Sequence, residues 1–428
     1  MTDDWLMMSD LGVVHRLIID SVRVDANRAA LEPQAATLYE AGWARFFAAA
    51  DTHGLTPLIA DGWRALGLLD RIPAEAQERL QRAYRDNAER NENVRREVRE
   101  YWRLLEAADV PAIVLKGWPL AEMLYASPAL RLIADMDVLA WPDRAHDGLR
   151  ALEVAGLEPL PRNRDAWVRK HLPAWWRVNG RTPSYPLANV FDPQHPRPVE
   201  IHVHLWEQGF RGLSMRDPAG VWARSRPVET AGCRMQVLSP EDTLVHLCVH
   251  WACHWIEREA RLAQLVDLDR FVRRFGDRLD WHTILRIGDT ARVTRWIDAA
   301  LRVARIVLDT PRPPIPIDDR LCEACPPGLR RWIDQYAAAD VALMDYRRPD
   351  KGVAYVLTWL SAQSLGERLG VARYALLPPR EFIMGRYGLR RRWQAIPFYM
   401  PYVMSQTAST LRPFARALTR LAQPGRQA

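Results

Sequence analysis

The sequence predicts an α+β fold in which a small mixed-sheet core is embedded in mostly α-helical N- and C-terminal regions. Three observations predict it. Apolar residues return at helical spacing through the first hundred residues. Between about residues 111 and 205, short apolar runs and a period-two alternation replace that spacing. Helical spacing resumes from Ser239 and holds for most of the remaining chain. These shifts divide the chain into a helical N-terminal region 1–105, an α+β core 106–215, a helical domain 216–310 and a C-terminal helical region 311–428.

Each element has its own signal. Leu38 to Ala50 is a short apolar-periodic stretch that ends at the turn Thr52-His53-Gly54. Ala74 to Ala108 is a long charged helix, with Pro73 at its start and Leu80, Tyr84, Val94, Val98, Tyr101 and Leu105 on one face. Pro111 to Leu115 is a short buried strand that stops at Lys116-Gly117, and Pro119 opens a helix to Tyr125. Leu132 to Ala140 is strand-like, and Pro142 to Ala155 is helical up to Gly156. A proline- and tryptophan-rich loop holds Trp167, Trp175 and Trp176. Pro198 to Leu205 then alternates as a half-buried strand. Ser239 and Asp242 form an N-terminal cap for a helix, and helical spacing continues through 267–274 and 283–308 until the prolines at 311–314. The last residues, 423–428, read as a frayed tail.

Composition narrows the class. With 48% hydrophobic and 26% charged residues in 428, the chain is neither disordered nor fibrous. Its 59 basic and 52 acidic residues leave a net charge of +7, interspersed along the chain, which suits anionic partners without choosing among them. Almost all of the positive charge is arginine; Lys116, Lys170 and Lys351 are the lysines. The start, MTDDWLMMSD, has no secretory pattern and no stretch is long and apolar enough to span a bilayer, so a cytoplasmic location is expected. The five cysteines form no paired framework.

The sharpest chemical signal is Asp135-Met136-Asp137. On a strand, residues two apart share a face, so these carboxylates project side by side. Such a pair repels unless a cation lies between its members, and oxygen ligands suit magnesium. Lys116-Gly117 ends the preceding strand and offers a cation and backbone amides to a phosphate. Glu200 lies on the later strand with His202 and His204 on its face, and a third carboxylate beside the pair would complete a two-ion clamp for phosphoryl chemistry.

The order Leu115-Lys116-Gly117, Leu120, Tyr125, Arg131, Asp135-Met136-Asp137-Val138-Leu139 and Glu200-Ile201-His202 resembles the polymerase-beta-type nucleotidyltransferase superfamily, and in particular an uncharacterised bacterial branch of it. Pro240-Glu241-Asp242 with His246 and His250, Val266-Asp267-Leu268, and Leu377 to Phe382 are similar to that branch as well. The likeness spans about residues 50 to 400. It implies metal-dependent transfer of a nucleoside monophosphate from a nucleoside triphosphate, expected to be ATP, to an acceptor hydroxyl. Asp135, Asp137 and Glu200 would be the catalytic and metal-holding carboxylates, with Mg2+ or Mn2+ as the ion. Lys116, Gly117, Arg131 and His202 would bind the nucleotide. Two features depart from the wider superfamily: Trp118 stands where a small residue is usual, and the gap from Gly117 to Asp135 is longer.

Rival readings are structural. His246, His250 and His254 stack on one helix face at a spacing that zinc could use, but their apolar neighbours favour packing. Cys322 and Cys325 lack a second pair. Two other functions stay open at this point. One is a nucleotidyltransferase-fold scaffold without turnover, favoured by Trp118. The other is a nucleic-acid-binding regulator that uses arginine-rich helices such as Arg390-Arg391-Arg392.

Overall fold

A computed structural model describes residues 12–160, 169–178, 189–345, 350–389 and 391–405. Trp167, Arg390 and the 423–428 tail lie outside them. The chain is α+β, as its periodicities predict.

Helices α1 (Val13–Val22), α2 (Arg28–Ala36), α3 (Glu40–His53) and α4 (Thr56–Ala65) close around the rings of Trp43, Phe46, Phe47 and Trp63. The 34-residue α5 (Ala74–Ala107) carries charge on its outer face and serves two cores. Leu80 joins the helical core, while Val94, Val98, Tyr101, Trp102 and Leu105 pack beneath the sheet.

The central region contains β1 (Ala112–Val114), α6 (Trp118–Leu124), β2 (Met136–Ala140), α7 (Ala145–Val154), β3 (Leu157–Pro159), β4 (Trp175–Arg177) and β5 (Pro198–His202). A short helix α8 (Val221–Arg224) leads to the hairpin β6 (Arg226–Thr230) and β7 (Cys233–Val237). The seven strands form one mixed sheet in the order β3-β4-β5-β2-β1-β7-β6. β2 runs antiparallel to β1 and parallel to β5, with Asp137 opposite Glu200 and Leu139 opposite His202. The sheet thus extends past residue 215, because β7 pairs with β1 through Val114 and Val237. The hairpin escaped the sequence reading because its residues are mostly exposed and its alternation is weakly apolar. Its two-residue turn, Ala231-Gly232, has positive φ at both positions (53° and 75°), which matches the twist of a tight hairpin.

The sheet has two unlike faces. Ala112, Val114, Met136, Val138, Ala140, Val199 and Ile201 face one way, into the core shared with α5 and α7. The alternate residues of the same strands, Ile113, Leu139, Asp137, Glu200 and His202, face the other way. That face is covered by the helical domain: α9 (Pro240–Glu257), α10 (Leu262–Phe275), α11 (Trp281–Ala291) and α12 (Thr294–Leu308). The expected cap on α9 is present, with the Ser239 hydroxyl accepting from the Asp242 amide.

The C-terminal helices are α13 (Ile315–Ala324), α14 (Pro327–Ala342), α15 (Lys351–Leu360), α16 (Leu365–Leu376) and α17 (Arg380–Tyr387). They are locked to the body in two places. Buried Arg295 on α12 donates to Glu367, to the Ser361 carbonyl and to the Ser214 carbonyl. Gly212, at φ +90°, lies against the backbone of Gly370 so closely that a Cβ there would sit 2.4 Å from the Gly370 carbonyl carbon.

Candidate active site

The site forms where β1, β2 and β5 present polar residues to the helical domain. The last ladder bond of β1 runs from the Leu115 amide to the Asp137 carbonyl (3.1 Å), and Lys116 follows at once. Gly117 then turns the chain into α6 at φ +73° and ψ −114°, a conformation side chains resist. Helix α6 is short, and Pro119 in its first turn has no N–H, so the positive charge this turn presents is that of the Lys116 ammonium. Trp118 is buried in the core on the far face of the sheet, with Val114 and Val138, and leaves the cavity clear.

Asp137 is the centre of the cluster. Its Oδ2 lies 2.5 Å from the Lys116 ammonium, and its Oδ1 lies 3.0 Å from His202 Nε2. His202 reaches it diagonally across the ladder, as neighbours offset by two residues can. Glu200 Oε2 is 3.6 Å from both His202 Nε2 and His171 Nε2. Asp135, just ahead of β2, is the most exposed of the carboxylates at 31% and stands 3.4 Å from Lys116.

These contacts set the protonation of each group. Burial alone would raise the Asp137 carboxyl, but the Lys116 charge and the His202 hydrogen bond hold it well below the usual carboxylate range. Burial also opposes ionisation of Glu200, yet the His202 hydrogen bond brings it down to about 2. Asp135 moves the other way, pushed up by burial and by the charge of Asp137. Burial would lower His202, but hydrogen bonds to Asp137 and Glu200 outweigh it and raise the imidazole. Lys116 rises as well, because its carboxylates outweigh burial.

Among the described residues, Asp137, Glu200 and His202 each offer one ligand atom, all within 4.8 Å of one another. Asp137 Oδ2 is buried against the Lys116 ammonium, so it can serve as a ligand once that ammonium moves aside. The donor set fits a divalent cation. The imidazole shifts its character from a purely oxygen site toward manganese and the later transition metals.

The expected residues therefore converge only in part. Asp137, Glu200 and His202 meet; Lys116 joins them through Asp137; Asp135 stands at the mouth. Arg131 borders the same space as Lys116 and Asp135 but is held by Asp267. Its Nε and Nη2 grip both oxygens of Asp267 (2.8–3.0 Å), and its Nη1 donates to the Gly117 carbonyl (3.3 Å). The Tyr125 hydroxyl donates to Asp267 at 2.7 Å. Arg131 thus pins the Lys116-Gly117 turn to α10.

A cavity of about 230 Å³ lies in front of this cluster, lined by Lys116, Gly117, Arg131, Asp135, His250 and His254, with Asp137, Glu200 and His202 behind that wall. His246 and His254 are each pushed down to about 3 by burial, so the imidazoles of α9 stay neutral. They form no metal-binding group with one another among the described residues. His171 and Lys170 were not anticipated. His171 is brought in by an antiparallel bridge to His202, and no motif in its loop announces it.

The described residues contain no helix long and apolar enough to cross a membrane. No curated protein and no solved structure matches this chain. A family model described as an uncharacterised nucleotidyltransferase matches residues 39–309, which span all seven strands and the helices α9 and α10 that cover the site. With well over half of the sequence inside that match, and with the carboxylates and Lys116 of the motif gathered on one sheet face, the chain belongs to this uncharacterised nucleotidyltransferase family.

Proposed function

We propose that the protein transfers a nucleotidyl group from a nucleoside triphosphate, with ATP as the expected donor, to an acceptor hydroxyl. One observation carries the reading: Asp137, Glu200 and His202 converge directly behind Lys116 and Asp135, which line the cavity, with the Lys116 ammonium 2.5 Å from Asp137. These three residues would hold a divalent cation, Mg2+ or Mn2+, whose charge would offset that of the triphosphate.

The chain's own residues supply the rest. Lys116, released from Asp137, pairs with phosphate oxygens. Arg131 keeps the Lys116-Gly117 turn in place through Gly117 and Asp267. Neutral His250 and His254 offer flat walls to the base. The acceptor oxygen forms a bond to the α-phosphorus while the bond to the bridging oxygen breaks and pyrophosphate leaves. The hydroxyl proton passes to a carboxylate. Asp135 suits that role because its carboxyl is raised and it borders the cavity, whereas Glu200, held at about 2, is a better ligand than base. Positioning and charge compensation carry most of such chemistry.

A second reading has its own observation. Lys116 already supplies a cation between Asp135 and Asp137, so a binding protein without turnover could rest in this state.

Calorimetric titration with ATP, in Mg2+, in Mn2+ and in EDTA, separates these readings when wild type is compared with Asp137→Asn. Metal-dependent binding that the variant loses supports the transferase site. Equal binding by the variant overturns the assignment of Asp137, and nucleotide binding without any radiolabelled transfer product favours the second reading.

A further inference from the structure

A larger cavity, of about 640 Å³, lies between the 207–212 segment, the last turn of α9 and the α16–α17 region, within the range of small-molecule sites. We propose that it binds the acceptor, and that the acceptor carries an anionic group on an aromatic or apolar body. The inference rests on reading the Asp137 cluster as the nucleotidyl-transfer centre.

The lining states the chemistry. Arg211, Arg373 and Arg380 border the cavity, and none forms an ion pair with a carboxylate among the described residues. The Arg211 Nε is buried without a hydrogen-bond partner. The Arg211 guanidinium lies over the Tyr355 ring, 4.8 Å from its centroid, which leaves its terminal nitrogens to a ligand's acceptor oxygens. Tyr374 and Phe382 supply flat apolar surface beside these cations. Glu257 faces the same space and has no hydrogen-bond or ion-pair partner among the described residues. Burial outweighs the charge of Arg211 and pushes the Glu257 carboxyl up to about 7.

The position states the role. Arg169 lines the large cavity, and His171, two residues on, stands 3.6 Å from Glu200. Consecutive Cα atoms lie about 3.8 Å apart, so the two sites are close neighbours along this strand of chain. His254 lines the smaller cavity and Glu257 the larger, one turn apart on α9. Lys170 follows Arg169 and precedes His171 in the chain, and its charge acts on both Glu200 and Glu257. Its side chain has no ion-pair partner among the described residues, which leaves it available to the anion as the acceptor hydroxyl approaches the transfer centre. The far wall, α16 and α17, lies outside the 39–309 family match and is held by the Gly212–Gly370 contact and by Arg295.

The test uses the full chain and two probes, phenyl phosphate and phenylacetate, titrated by calorimetry with and without saturating Mg-ATP. The proposal expects saturable binding of one probe that Mg-ATP does not displace; whichever probe binds tells a phosphate-bearing from a carboxylate-bearing acceptor. Arg373→Ala and Arg211→Ala each weaken it about tenfold, the worth of a charged hydrogen bond. Arg373→Lys retains part of the affinity and covers the case in which the alanine variant fails to fold. Glu257→Gln tightens binding above neutral pH, which a merely structural carboxyl would not do. Competitive displacement by Mg-ATP, no saturable binding of either probe, or indifference to the arginine substitutions overturns the proposal. A chain that binds Mg-ATP but neither probe loses only the acceptor cavity; one that binds a probe but not Mg-ATP loses the nucleotidyl-transfer reading instead.

Discussion

The Lys116 ammonium lies 2.5 Å from Asp137 Oδ2 and 3.4 Å from Asp135 Oδ1, so the resting site holds a side-chain cation between its two aspartates. A divalent ion that comes to Asp137 competes with that ammonium. Lys116→Met is therefore expected to tighten Mn2+ binding by tenfold or more, roughly 1.4 kcal/mol, while weakening ATP binding and lowering turnover. Calorimetry with Mn2+ alone and then with Mn-ATP gives both signs. Parallel losses in both titrations would show that Lys116 only supports the fold.

Arg131 and Asp267 act as one structural unit. Asp267 is buried and the Arg131 side chain is 13% exposed, and Tyr125 completes the network. Replacing Asp267 by Asn strands a buried guanidinium, which costs about 3–5 kcal/mol. Urea unfolding of Asp267→Asn, Arg131→Met and the double variant measures this. The double variant should recover part of the loss, because no unpaired charge remains.

Stability should fall in mild acid. His53 is buried between α3 and α10, where its Nδ1 accepts from the Leu262 amide and its Nε2 faces the Ala342 carbonyl. Burial pushes it down to about 4, against 6.5 for the free side chain. A depressed folded value means that the unfolded chain binds the extra proton first. The contribution of His53 is thus intact above about 6.5 and is lost as pH falls toward 4, about 3 kcal/mol in all. His195, also lowered to about 4 by burial, adds in the same direction. Unfolding followed from neutral pH to pH near 4.5 should show the decline, with a shallower slope in His53→Asn.

Gly212→Ala tests the lock on the C-terminal helices. The new Cβ would meet the Gly370 backbone and adopt an unfavourable φ of +90°. The expected result is faster proteolysis within residues 365–387, while the segments carrying Asp137 and Glu200 stay protected. Uniform protection of the whole chain would show that the contact can yield.

Local features of the fold were legible in the sequence, and long-range ones were not. The long α5, the strand ending at Lys116 and the alternation through Glu200 and His202 follow from periodicity, which depends only on neighbouring residues. The carboxylate motif gave Asp137 and Glu200 their place, because a period of two puts them on the polar face. Nothing near Arg131 in sequence shows its partner Asp267, 136 residues away. His171 was missed for the same reason: an isolated bridge, not a motif, brings it to Glu200. Trp118 counts against turnover in the sequence because the direction of its side chain is not legible there, whereas in the fold it packs with Val114 and Val138.

The parallel pairing of β2 with β5 has a consequence for how this chain can vary. Asp137 and Glu200 are aligned by main-chain hydrogen bonds along the strands, and of the long connection between them only β4 and the His171 bridge add pairing to β5. Loop-closure entropy grows only slowly with length, so the parts of that connection outside its packed helix and paired strands can lengthen, shorten or acquire a new segment at little thermodynamic cost. A one-residue slip between the two strands is another matter, since it would turn every side chain of one strand to the opposite face. The protein is therefore rigid in pairing and permissive in contour, and what varies most freely is the unpaired chain around a fixed pair of strands.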